Sequence, residues 1–238
     1  MQTTLGQFNE TQSQDAFALQ NSKLLKVRVD QVTIQAKLGS MVAYQGDVTF
    51  EHAGSGGLGR MLKKAVTGEG VQLMKVTGRG EVFLADQAQD IHLIYLENDM
   101  ITVNGTNLLA FDTGIDWDIK RVEGAGAMMG GQGLYNLALH GTGWVAIISD
   151  GPPVLLNVAA APTFADAQAA ITWSSGVSTG IKTDFKMKNL IGRGSGETIQ
   201  MAFSGQGWVL VQPSEGQVHG AQTTSSSSGG GLGSLLNS

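Results

Sequence analysis

The sequence predicts an all-β body made of three repeated units with approximate threefold internal symmetry. Two observations carry that expectation: short apolar-polar alternations recur along the chain, and a set of glycine landmarks recurs three times in the same order. Glycine supplies 34 of the 238 residues, and only 15% are charged, against a usual share of about 25%. With 42% hydrophobic residues, the chain can bury a sizeable core.

The strands come first. Leu25, Val27 and Val29, then Val32, Ile34 and Ala36, alternate with polar neighbours, as a half-buried strand requires. The same period of two appears in Ile91-Leu93-Tyr95, Ile101-Val103, Leu137-Leu139 and Ile199-Met201-Phe203. Only Leu58 to Val66 reads as helix, about two turns long.

The repeats come second. A Gly-x-Gly element, expected to be a turn, occurs at Gly78-Arg79-Gly80, Gly141-Thr142-Gly143 and Gly205-Gln206-Gly207, at intervals of 63 and 64 residues. Each is followed by an apolar strand: Val82-Phe83-Leu84, Val145-Ala146-Ile147, Val209-Leu210-Val211. Between them lies an aromatic residue followed by glycine and a β-branched residue: Tyr44 with Gly46 and Val48, Phe111 with Gly114 and Ile115, Trp173 with Gly176 and Val177. A glycine-rich loop precedes each Gly-x-Gly element, over 54–70, 124–133 and 192–196. These landmarks divide the chain into a lead-in (1–19), β-units at 20–84, 85–148 and 149–216, and a flexible Ser/Gly-rich tail (217–238). A few strands alone would leave an apolar face bare, so the units are expected to bury it together as one compact domain.

The runs GSMVAYQGDVTFE (39–51), TGEG (67–70), TGRGEVFLAD (77–86), LLAFD (108–112), GTGWVAI (141–147) and GRGSGE (192–197) carry a resemblance. Over about residues 15–216 the chain resembles the altered-inheritance-of-mitochondria family, member twenty-four. The resemblance implies the fold of the tryptophan RNA-binding attenuation protein (TRAP-like). That fold has three shortened double-stranded β-helix or β-sandwich units around a pseudo-threefold axis. Bacterial members of the family have no assigned activity, and mitochondrial members resemble inner-membrane organisation factors. No catalytic or ligand residue carries over, and the chain shows no Arg-rich amphipathic transit segment.

The candidate chemical motifs each have a plainer reading. Gly54-Ser-Gly56-Gly57-Leu58-Gly59 fits a dinucleotide fingerprint, but in a glycine-rich chain without βαβ alternation it reads as a loop. Gly176-Val-Ser178-Thr-Gly180 fits a nucleophile elbow, yet Ile181, Thr183 and Phe185 continue with strand periodicity. The histidines (His52, His92, His140, His219) are isolated from one another and there is no cysteine, so no metal or other cofactor is expected. Trp144 and Trp208 follow their Gly-x-Gly elements, where the first unit carries Glu81, and read as caps on the apolar interior.

Charge narrows the partners. Fifteen basic against twenty acidic residues give −5, which disfavours nucleic acid, although the TRAP-like analogy keeps it as an alternative. The glycine-rich loops keep a small-molecule binder as another. No run of about 18 apolar residues marks a membrane span, and the cytoplasm is the expected location. From Val122 to Ile181 there is no Lys or Arg, and the loop at its start holds Met128 and Met129. A surface so poor in charge suits contact with another chain, which makes Met128 and Met129 the candidate interface. The expectation is a non-catalytic interaction or scaffold protein that forms a homo-oligomer or binds a protein partner.

Overall fold

The computed structural model describes residues 3–52, 72–121, 135–181 and 200–214. The predicted helix at 58–66, the glycine-rich loops, Met128, Met129, His219 and the tail lie outside the described residues. The described chain is all-β and antiparallel, with 3-10 turns at Leu5–Phe8 and Gly105–Asn107.

In chain order the strands are β1 (Phe17–Asn21), β2 (Leu24–Arg28), β3 (Ile34–Lys37), β4 (Met41–His52), β5 (Leu73–Leu84), β6 (Asp90–Asn104), β7 (Leu108–Asp112) and β8 (Ile115–Arg121). They continue as β9 (Tyr135–Ser149), β10 (Val154–Asn157), β11 (Thr163–Asp166), β12 (Ala170–Ser174), β13 (Val177–Ile181), β14 (Gln200–Gly205) and β15 (Trp208–Val211). A 12-stranded sheet runs in the order β1-β2-β5-β3-β7-β9-β6-β12-β15-β10, with β4 added on β5 and β8 on β9. Strands β11, β14 and β13 form a separate three-stranded sheet.

The unit boundaries drawn from sequence do not interrupt the large sheet. Strand β3 pairs β7, Ile34 facing Asp112, and β12 pairs β6, Thr172 facing Val103. Packing crosses the same boundaries. One buried cluster joins Leu25, Ile34, Val76 and Leu84 to Ile91, Leu109 and Ile148. A second gathers Phe111, Ile115, Leu139 and Ile147 with Leu73 and Ile171. A third, with Trp173, Met201, Phe203 and Val209, lies within the last unit. Fully burying one such side chain stabilises the fold by about 1.5–3 kcal/mol.

Two of the three predicted Gly-x-Gly turns are not turns. Gly78 and Gly80 lie inside β5, and Gly141 and Gly143 inside β9, both strands running on without a break. The third spans the step from β14 to β15. All six glycines have positive φ, from 115° to 153°, which L-residues adopt only under strain. The reason is close approach. A Cβ on Gly78 would stand 2.2 Å from the Asp47 carbonyl oxygen, and one on Gly205 2.3 Å from that of Gly176. Gly46 faces Gly80 in the β4–β5 pair, and Gly114 lies beside Gly141. Each Gly-x-Gly element therefore crosses the glycine of its own unit's aromatic marker, backbone against backbone.

The charge-poor stretch also has a local cause in its described part. Strand β9 pairs β6, β7 and β8, and Val145 to Ser149 are buried. Ions are excluded there because the strand is interior.

Candidate functional site

The described chemistry-bearing side chains gather in two places. The first is the corner where β9 turns toward β10. His92, on β6, sits opposite Ile147. Its Nε2 is 2.7 Å from Ser149 Oγ, and Ser149 Oγ donates at 2.7 Å to the Gly151 carbonyl. Because the serine proton is committed to Gly151, the imidazole is the donor, protonated at Nε2. An activated serine needs the opposite polarity, with the hydroxyl donating to imidazole. Ser149 is also fully buried. Beside it, the buried Asn107 amide donates to Ile148 O (2.9 Å) and Gln212 Oε1 (3.2 Å). Gln212 in turn accepts from the Asp150 amide and donates to Gln168 O. The polar seam ties Gln212, near the end of the described chain, to the second unit through Asn107 and to its own unit through Asp150 and Gln168.

Burial pushes the His92 pKa below its ordinary 6.5, only partly opposed by the Asp90 charge. A folded-state pKa below the unfolded one means that this contribution is complete above about pH 6.5 and is lost as pH falls through the folded value. Chemical denaturation at descending pH is therefore expected to show a loss of stability below pH 6.5 that a His92→Gln variant lacks.

The second place is a polar cluster on β2, β4 and β5. Lys26 is only 4% exposed, and its Nζ meets Glu81 Oε1 at 2.9 Å, Thr11 O at 3.1 Å and Glu10 Oε2 at 3.6 Å. The hydrogen bond from Lys26, against the opposing effect of burial, holds the Glu81 carboxyl below its usual range. Glu81 thus fills the position that Trp144 and Trp208 hold in the later units, with a charge pair in place of an indole.

The other sequence candidates are dispersed. Ser178 lies in β13 opposite Ser204, within a strand pair and not at a strand-to-helix elbow. His140 is exposed in β9, opposite Met100 and Asp116. Among the described residues, no three His, Asp or Glu side chains converge in a way that could hold a metal ion. Trp144 packs against the first core cluster, 5.0 Å edge-on from Tyr95 and 6.4 Å from Phe17. Trp208 packs against the second. Both indoles cap apolar interior.

Sequence reasoning missed both assemblies. His92 and Ser149 are 57 residues apart, and Lys26 and Glu81 are 55 apart. The pairs meet only through the β6–β9 and β2–β5 registers.

Among the described residues, no helix is long and apolar enough to cross a membrane. Among curated proteins none matches the chain. The fold is similar to the crystal structure of protein SPYM3_0169 from Streptococcus pyogenes, with a TM-score of 0.66 and 20% identity over 82% of this chain and 91% of that one. A family model described as mitochondrial biogenesis AIM24 matches residues 17–214. The chain therefore belongs to the AIM24 family.

Proposed function

We propose that the protein is a non-catalytic scaffold that acts through protein contact and associates with itself, its three β-units arranged about a pseudo-threefold axis. The recurring glycine crossings support the pseudo-symmetry. The inward-facing polarity of the His92–Ser149 pair supports the absence of catalysis.

The observation that carries self-association is the edge strand β10. Among the described residues it pairs only with β15, and it ends the large sheet. Val154 is 53% exposed and Leu155 60%, and as neighbours in a strand they point to opposite faces. An apolar edge with unpaired main-chain groups is a template for another strand. Pro152 and Pro153 block extension of that pairing toward the preceding chain, which confines it to Val154–Asn157. Two copies meeting antiparallel along β10 would bury both apolar side chains in a self-complementary, twofold contact.

Sedimentation equilibrium at micromolar concentration tests this reading. The expected result is a mass of at least twice 24.9 kDa, falling to the monomer in Leu155→Lys. A monomer throughout the range would refute it.

A further inference from the structure

Residues 9–16 run back over the first hairpin as an extended strap, outside the stretch shared with the family, 17–214. The body reads this strap with side chains. Gln20 holds its main chain with both ends of one amide: Oε1 accepts from the Thr11 N–H at 2.8 Å, and Nε2 donates to Asn9 O at 3.0 Å. Lys26 donates to Thr11 O, and with Gln45 (Nε2 to Oε1, 2.6 Å) it holds the Glu10 carboxylate. Arg28 Nη1 donates to Gln14 Oε1 at 2.6 Å, and the Arg28 amide donates to Ala16 O.

None of the strap residues is buried. Ala16 packs against the first core cluster, and the rest of the strap is held by hydrogen bonds and the Glu10–Lys26 ion pair. On the receiving side, Lys26 is nearly fully buried beneath the strap, and it loses two of its three acceptor partners when the strap leaves.

We infer that the groove formed by Gln20, Lys26, Arg28 and Gln45 is a peptide-binding site, occupied in cis by residues 9–16. In trans it takes an extended acidic segment of another protein. The chemistry that it selects is a carboxylate flanked by free main-chain groups: Lys26 and Arg28 face the groove, each also paired with a carboxylate of the body (Glu81 and Asp30), and the occupant supplies Glu10. The cis strap is an internal competitor at an effective concentration of about millimolar, which masks the site in the resting chain. This surface is separate from β10, so self-association and peptide binding stand or fall independently.

Fluorescence anisotropy with a labelled synthetic peptide of residues 7–16 tests the inference on the full-length chain. In a Glu10→Lys, Thr11→Pro variant, whose strap is loosened, the peptide is expected to bind at least tenfold more tightly than to the parent. Replacing the peptide's own glutamate by glutamine is expected to weaken binding several-fold. Adding Lys26→Met or Gln20→Leu to the loosened chain is expected to reverse the gain. Gln20 is only partly buried, so that variant reports on the groove even where Lys26→Met compromises folding. Equal binding by parent and loosened chains, or indifference to Gln20→Leu in a chain with an unchanged melting temperature, would overturn the proposal. Strap exchange would also overturn it: the parent would form a dimer that the loosened chain cannot, and the groove would belong to a second copy.

Discussion

Gly78→Val is expected to lower the melting temperature by roughly 10 °C, the signature of about 3–5 kcal/mol in a chain of this size. The added Cβ would lie 2.2 Å from Asp47 O and 3.0 Å from Val48 Cα, both main-chain atoms that cannot rotate away. The φ of 127° adds strain that a β-branched residue tolerates least. Gly205→Val should behave alike, since its Cβ would meet Gly176 O at 2.3 Å at φ 115°. Gly180 is the control. It also lies in a strand, but a Cβ there meets nothing within 4 Å, so Gly180→Ala should stay within about 0.5 kcal/mol of the parent. Differential scanning calorimetry distinguishes these outcomes, and equal effects at all three positions would mean that the crossings are not close.

The aromatic markers should split. Phe111 is fully buried in the second cluster, and Trp173 is 4% exposed, packed edge-on 5.5 Å from Phe203. Truncating either to alanine is expected to cost about 3–5 kcal/mol, by lost transfer energy and the cavity left behind. Tyr44 holds the matching sequence position but is 49% exposed, and it touches Phe50 edge-on at 5.3 Å. Tyr44→Ala should cost about 1 kcal/mol. Urea denaturation of the three variants provides the check. A large loss at Tyr44 would show that its ring is covered in solution, for instance by a second copy.

That split marks how far the sequence could be read. Period-two alternation located the strands, because burial on one face leaves that pattern directly: Leu25, Val27 and Val29 are all interior. The alternation could not show that Ile91-Leu93-Tyr95 and Ile101-Val103 belong to one strand. The interruption at Glu97-Asn98-Asp99 is a bulge within β6, where the register shifts and Asn98 takes φ 53°. Its amide is held by Thr142 Oγ1, inside the second Gly-x-Gly element. Glycine spacing marked where the chain crosses itself but not whether it turns there, since positive φ serves a tight turn and a close crossing equally.

The polar assemblies left less trace. Lys26 sits between two apolar residues of β2, in a pattern that puts a lysine at an outward position. It is buried because β1 and β5 flank it and the lead-in folds over it, a consequence of topology that no local pattern encodes. The lead-in was legible only as polar chain, and its role depends on groups contributed by β1, β2 and β4.

The claim beneath these expectations is that strands drawn from all three sequence units, β10, β12 and β15 among them, join the large sheet and therefore unfold as one body. Native-state hydrogen exchange measures this most directly. Amides in β5, β9 and β15 are expected to exchange through a single global opening, with equal free energies and equal denaturant dependence. Strand β15 exchanging through an opening of its own, several kcal/mol below that of β5 and β9, would contradict it.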